Sequence, residues 1–341
     1  MSRSYSSVVP SGTETKGVGR HMKRLLTAVF LCALVLFQIE SAFSEELAKG
    51  IAQVFAPIKG KVGAGIICDN QGHMFVCKNG ELLVVTPKGE VSQFANLADL
   101  AKGKDYYFPS PLIWGMAFDR DGFIIAAAQD RILRIAPDGS VATLIREDFD
   151  GFIGASGIAI DKDNNLYVTS GSKVLKYTPK LEKSVFIDTS SSKVSLTWEG
   201  MTFDLNLKTL SFLNFDPKYE NLYVSDFDSE TLLKYPILND GRPGTPIIVF
   251  DAYTDDLSQA PLNVLFGESG SVYASNDISS QILKVDASGR KDLIRIPGKM
   301  RNHIIAFGGK GFDEESIYFT TYSGDSVYRL YIGEKAALPT K

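Results

Sequence analysis

Histidine and cysteine are scarce in this chain, with 3 of each among 341 residues. No Cys/His spacing of the zinc type occurs, nor a glycine loop that cradles phosphate, nor a Ser-His-Asp signature. Past the first few dozen residues there is no run of Lys or Arg, and the formal net charge is −4. A nucleic-acid partner needs its phosphates neutralised, so that class is excluded, and so is attachment to a membrane through a polybasic surface. Beyond residue 44 no stretch keeps a helical period, so few helices are expected. The composition, 44% hydrophobic and 22% charged, excludes disorder.

One address stands at the N-terminus. Residues 1–21 are polar and patternless, Met22-Lys23-Arg24 is a short positive stretch, and Leu25 to Phe37 is an unbroken apolar run. Ala42 and Ser44 put small residues at −3 and −1 before Glu45. This is the pattern of a secretory signal, and the run falls short of the roughly 20 apolar residues of a membrane-spanning helix. The segment is expected to be cleaved; the alternative is retention as an anchor. Residues 1–44 are thus read as extension and signal, 45–333 as one domain and 334–341 as a tail. Cys68 and Cys77 remain after cleavage, in one expected hairpin and diagonal rather than opposite, a placement that disfavours a disulfide.

A unit recurs through the mature chain: an apolar strand, a turn rich in Asp, Asn or Gly, a second strand of the L-Y-V type, then a third strand, a turn and a fourth strand. It opens at Gly65-Ile-Ile-Cys-Asp69, Gly115-Met-Ala-Phe-Asp119, Gly157-Ile-Ala-Ile-Asp161, within 200–216, at Asn263-Val-Leu-Phe-Gly267 and at His303-Ile-Ile-Ala-Phe307. In the fourth unit two openings compete, Gly200-Met-Thr-Phe-Asp204 and Leu213-Asn-Phe-Asp216. The turns D-x-D-G, P-D-G and A-S-G are hairpin chemistry, where Gly or Asn supplies positive φ. Repeated four-stranded sheets that cannot bury both faces alone predict an all-β, six-bladed β-propeller. The sixth unit lacks a fourth strand, and Ala52-Gln-Val-Phe55 stands spare before the first, so an N-terminal strand is expected to close the last blade.

Phe215-Asp-Pro-Lys-Tyr-Glu-Asn-Leu-Tyr-Val-Ser-Asp226 with Asn239-Asp-Gly-Arg-Pro-Gly244, and Ala306-Phe-Gly-Gly309 with Ser316-Ile-Tyr-Phe-Thr-Thr321 and Val327-Tyr-Arg-Leu330, carry a resemblance. They are similar to the fourth and last blades of the senescence-marker-protein/gluconolactonase (regucalcin-like) family of six-bladed propellers. The G-[IM]-A-x-D openings are shared more widely, with NHL-type and strictosidine-synthase-like propellers. The resemblance spans about residues 50–333. It implies hydrolysis of a small lactone or ester at the channel mouth, with one divalent cation, usually calcium. The family draws its oxygen ligands from a Glu, an Asn and an Asp just ahead of inner strands. Here those places hold Ala64, a position near Ser211, and Leu262, so the family's ligands are not matched. The other reading is a non-catalytic, monomeric propeller that binds a small molecule, a sugar or a protein.

Mouth positions ahead of the inner strands are Ala64, Trp114, Ser156, Glu199 or Ser211, Leu262, and Asn302 with His303. Glu199, in Thr197-Trp-Glu-Gly-Met-Thr-Phe203, is either a general base or metal ligand, or a solvated loop carboxylate. His303 titrates near neutrality and is a second candidate base, or else a structural histidine. Asp226, with Asp228 close by, follows the L-Y-V-S strand and is a candidate metal ligand, or turn chemistry. Trp114, Asn302 and Asn263 are candidate substrate contacts. Trp114 with Tyr106, Tyr107 and Phe108 forms either an aromatic lid or a cap on the ring. A rebuilt metal site would need Glu199 in the channel with Asn302, Asp226 or Asn263 beside it. For the N-terminus the expected outcome is removal between Ser44 and Glu45: N-terminal sequencing of the exported chain would find Glu45 first, whereas a mature chain retaining Leu25 to Phe37 would mean an anchor.

Overall fold

The computed structural model describes residues 51–60, 62–78, 80–101, 113–150, 154–190, 194–198, 201–252, 255, 261–276, 279–296, 302–321 and 324–339. The signal segment, the aromatic residues 106–108 and Glu199 lie outside them. Strand β1 (Gln53–Pro57) comes first. Blade 1 follows as β2 (Val62–Cys68), β3 (Met74–Lys78), β4 (Glu81–Val85) and β5 (Val91–Asn96), and blade 2 as β6 (Met116–Phe118), β7 (Ile124–Ala128), β8 (Arg131–Ile135) and β9 (Val141–Arg146). Blade 3 is β10 (Ile158–Ile160), β11 (Leu166–Ser170), β12 (Lys173–Tyr177) and β13 (Lys183–Asp188). A separate hairpin, β14 (Val194–Trp198) and β15 (Met201–Leu205), precedes blade 4, which is β16 (Leu210–Phe215), β17 (Asn221–Asp226), β18 (Thr231–Pro236) and β19 (Ile247–Asp251). Blade 5 is β20 (Pro261–Phe266), β21 (Val272–Asn276), β22 (Gln281–Val285) and β23 (Lys291–Arg295). Blade 6 is β24 (Asn302–Phe307), β25 (Ser316–Thr321) and β26 (Ser326–Tyr331), completed by β1. One short 3-10 turn, Ala98–Ala101, is the only helical element among the described residues.

Burial explains why the units read as they do. The second strands β7, β11, β21 and β25 are buried at every position, because a neighbouring blade covers each face. The fourth strands are half solvated, as in β13, where Lys183, Ser184 and Val185 are exposed. Edge-to-face aromatic pairs sew blades together: Tyr167 of blade 3 meets Phe215 of blade 4 at 5.0 Å, and Tyr223 of blade 4 meets Phe266 of blade 5 at 5.0 Å.

The ring closes as the sequence predicts. β1 pairs antiparallel with β26, Gln53 opposite Arg329 and Ala56 opposite Val327, and Ala56 is fully buried. The closure also repeats an ordinary blade contact. Gly139, in the outer turn of blade 2, packs so tightly on the carbonyl of Phe94 in blade 1 that a side chain would collide with it. Gly89, in the same turn of blade 1, would place a β-carbon 2.9 Å from the carbonyl of Phe55 in β1. β1 therefore occupies the place of an outer strand belonging to the blade before blade 1.

The fourth unit, ambiguous in sequence, is settled by register. Leu213 pairs with Val224 as Ile158 pairs with Val168 and Ile66 with Val76, so Leu213-Asn-Phe-Asp216 is the inner strand. Residues 201–204 belong instead to the extra hairpin, with Thr197 opposite Thr202. The cysteines require a correction. Cys68 stands opposite Met74, and Cys77 lies three residues beyond Met74, so the two thiols point to opposite faces of one sheet rather than lying diagonally on one face. Both are free thiols, and burial pushes each up to about 12.

The G-[IM]-A openings have a steric cause. Gly157 would carry a β-carbon 2.6 Å from the Ser211 carbonyl of blade 4, and Gly115 would drive one into the Ser156 carbonyl of blade 3. Gly65 is looser, 3.1 Å from the Ile113 carbonyl. Gly115→Ala and Gly157→Ala should each lower stability by about 2–3 kcal/mol through forced separation of neighbouring blades, measured as a shift in denaturant midpoint, with Gly65→Ala costing less.

Candidate functional site

The inner strands pair along one edge, with a single bridge from Asn302 of β24 to Asn276 of blade 5 on the other, and their free edges surround the axis. A cavity of about 810 Å³ runs along it. Its walls are Ile66, Met116, Ile158, Phe212, Val264 and Ile304 with their strand neighbours. Trp114 marks the end where the inner strands begin. At the other end, called lower here, stand Asn70, Asp216, Glu268, Lys310 and Glu314, together with Lys335 to Pro339 of the C-terminal segment.

Along the inner strands, polar side chains bond both within a blade and from one blade to the next. Ser156 Oγ donates to the Ser211 carbonyl at 2.7 Å, and Thr169 Oγ1 donates to the same oxygen at 2.9 Å. The hydroxyls of Ser211 and Ser225 share a hydrogen bond of 3.0 Å. Asn214 Nδ2 donates to the Val264 carbonyl at 3.0 Å, tying blade 4 to blade 5. Asn263 does the same between blades 5 and 6 from both ends of its amide. Its Nδ2 donates to the Ile305 carbonyl at 2.7 Å, and its Oδ1 accepts the Ile305 N–H at 2.9 Å and the Ser275 hydroxyl at 2.8 Å.

This geometry places the residues picked out from sequence as follows. Trp114 and Asn263 both line the cavity, but the amide of Asn263 is committed to the blade 5–6 clasp. Asp226 is fully buried and turned onto its own loop, where the carboxylate accepts the N–H groups of Thr209 (2.9 Å) and Ser229 (2.8 Å). Burial raises its pKa, and those hydrogen bonds oppose the shift. Asp228 accepts the Thr209 hydroxyl at 2.6 Å. Asn302 and His303 open β24, Asn302 opposite Thr321 and bridging to Asn276; their side chains, like Glu199, lie outside the described residues. The charged lower end was missed in sequence because its members sit in turns whose Asp and Glu read as local structure.

A hard cation does not fit the matched mouth positions. Ser211 has its hydroxyl bonded to Ser225, and Leu262 offers hydrocarbon. Among the described residues no three His, Cys, Asp or Glu side chains converge on one point.

The chain is therefore a six-bladed β-propeller with a closed ring and a continuous channel cavity. Solved structures share this fold. A gluconolactonase from Xanthomonas campestris is 13% identical, with a TM-score of 0.61 over 84% of this chain and 89% of that one. A luciferin-regenerating enzyme is 14% identical, with a TM-score of 0.61 over 83% of this chain and 96% of that one. A chain of a nidogen/laminin complex is 18% identical, with a TM-score of 0.57 over 79% of this chain and 93% of that one. No family model and no curated protein sequence matches.

Asn263→Ala removes one donor and one acceptor from a site with no replacement at hand. It should cost about 2–3 kcal/mol in an unfolding titration, because the Ile305 N–H and carbonyl lose their partner. A neutral result would mean that the clasp between blades 5 and 6 lies elsewhere.

Proposed function

We propose that this protein is an exported, monomeric propeller that binds an amphipathic small molecule in its channel without catalysing a reaction on it. The cavity carries this reading. Its volume of about 810 Å³ lies within the range of ligand pockets, its wall mixes mostly apolar side chains with polar backbone and amide groups, and charged groups gather at one end. An apolar body would lie along Ile66, Met116, Ile158 and Val264, and a polar group would meet Asn70, Glu268, Lys310 or Glu314. Of the polar residues toward the start of the inner strands, Ser156 and Asn263 are engaged in holding blades together, and the Ser211 hydroxyl is engaged with Ser225 inside blade 4.

The second reading is hydrolysis of a small lactone or ester, supported by the fold shared with a gluconolactonase. It would rest on Glu199 and His303 as bases. One panel separates the two. Thermal midpoints are measured against small amphiphiles, sugars and lactones, and lactone turnover is assayed with calcium and with chelator. Binding predicts midpoints raised by particular amphiphiles, as a ligand specific for the folded state must do. It also predicts loss of that shift in Met116→Trp, which fills the channel, and no dependence of the unliganded midpoint on calcium or chelator. Lactone turnover abolished by Glu199→Gln or His303→Ala would establish the hydrolase instead.

A further inference from the structure

The turn between the first and second strands of a blade contains a carboxylate with a repeated task. In blade 3, Asp161 Oδ1 accepts the N–H groups of Asp163 (2.9 Å) and Asn165 (2.8 Å), and Oδ2 accepts the Tyr167 hydroxyl at 3.0 Å. Asp69, Asp119 and Asp216 hold the corresponding turns of blades 1, 2 and 4. Blade 5 folds the same turn. The Gly267 N–H donates to the Ser271 carbonyl and the Gly270 N–H to the Gly267 carbonyl, as Asp161 does to Asn165 and Asn164 to Asp161. Yet Gly267 has no side chain to hold it.

The missing group comes from 67 positions further along the chain, residue 334 against residue 267. Glu334 Oε1 accepts the Ser269 N–H at 3.1 Å and the Ser269 hydroxyl, and Oε2 accepts the Tyr273 hydroxyl. Ser269 and Tyr273 stand two and six residues after Gly267, as Asp163 and Tyr167 stand after Asp161. Even the surrounding cation repeats: Lys176 lies 5.3 Å over the Tyr167 ring and Lys284 lies 5.2 Å over the Tyr273 ring. Lys284 also pairs with Glu334 at 3.1 Å. A β-carbon on Gly267 would run into Glu334 Oε1, so the glycine and the distant glutamate fill one space. Burial works against ionisation of Glu334, but the hydrogen bonds from Ser269, Tyr273 and Lys284 outweigh it and bring the carboxyl down to about 2.

We propose that Glu334 supplies in trans the turn carboxylate that blade 5 lacks, and that this latch straps residues 334–339 over the lower end of the channel. The strap continues from the latch. The Lys335 carbonyl accepts the Glu268 N–H at 2.9 Å, Ala336 bridges to Gly267, and the Ala337 N–H donates to the Phe266 carbonyl at 2.8 Å. Lys335 also reaches Glu314 of blade 6 at 3.2 Å. Lys335 to Pro339 then form part of the cavity wall at its lower end.

The test is a double-mutant cycle on the full chain. Gly267→Asp returns the carboxylate to the turn, and the Gly267 backbone is not in the left-handed region that would resist it. Glu334→Ala alone should lower the thermal midpoint, and Gly267→Asp alone should lower it by collision with Glu334. The double variant should stand above both, because one carboxylate again occupies one space. Single losses that simply add in the double would overturn the substitution of Glu334 for the turn Asp. The covering is read separately, by alkylation located by peptide mass at Cys68, which lines the cavity, with buried Cys77 as the internal control. In the refolded but unstrapped double variant Cys68 should label roughly tenfold faster than in the parent, with Cys77 unchanged. A Cys68 rate equal to the parent's would show that residues 334–339 do not cover the channel.

Discussion

A sheet with two apolar faces has no stable existence in water until both are covered, and in this protein every blade is such a sheet. Strands β7, β11, β21 and β25 have no exposed residue. A linear stack of such blades would leave one greasy face at each end, so the stack must return on itself. Closing the ring needs blade 6 to be as wide as the others, and three strands between residues 302 and 331 leave it short by one. β1 makes up the difference, and Ala56, buried completely, joins the same core as Val76, Leu82 and Tyr318. The core continues across the point where the first and last blades meet, which is the condition for the ring to behave as one cooperative body.

Closure sets the second constraint, at the axis. Six strands converge there with edges largely unpaired, whose backbone groups must find hydrogen bonds or water. Glycine at 65, 115 and 157 lets blades 1 to 3 come close enough for backbone to meet backbone, as in the bond from Gly65 N–H to the Ile113 carbonyl. Blades 4 to 6 put Phe212, Asn263 and Ile304 in the equivalent places, and there side chains bond one blade to the next. Asn214 and Asn263 do so with amides that donate to the next blade. A polar residue on an inner strand is therefore not evidence of chemistry by itself. Binding or catalysis must use groups left over once the ring is held, and in this chain those gather where the inner strands end.

Local patterns were legible and long-range substitutions were not. The period of the unit, the turn residues and the spare strand at 52–55 each follow from neighbouring residues, so reading along the chain was enough to count blades. The fourth unit stayed open between two readings because 200–204 has the form of a blade opening; it belongs to a hairpin whose Val194 and Leu196 are buried while Ser195 and Thr197 face water. Asn263 and Asp226 looked like site residues because amides and carboxylates near a channel mouth are the right chemistry. Only their partners, Ile305 and the Thr209 and Ser229 amides, show that both are occupied. Ile305 cannot be assigned to Asn263 from spacing, since the two are 42 positions apart, whereas the Ser229 amide, three residues after Asp226, is the local turn chemistry that was the other reading of that aspartate.

Glu334 belongs to the same lesson from the other side. A repeat read by eye treats Gly267 as a weakened copy of Asp161, a turn that has lost its carboxylate. The fold treats the position as a space that must hold an oxygen pair, and it is indifferent to which part of the chain supplies it. The Tyr273 hydroxyl is a buried donor that would be left without an acceptor if nothing entered the space, a cost of about 1–3 kcal/mol, while the Ser269 N–H, on an exposed turn, would turn to water. Once a carboxylate enters from residue 334, the backbone on its C-terminal side has little freedom left: Lys335, Ala336 and Ala337 fall onto the edge of blade 5 and lead to the lower end of the channel. The loss of one aspartate from a turn thus becomes a reason for the shape of the cavity floor, through a turn that the first five blades fold alike.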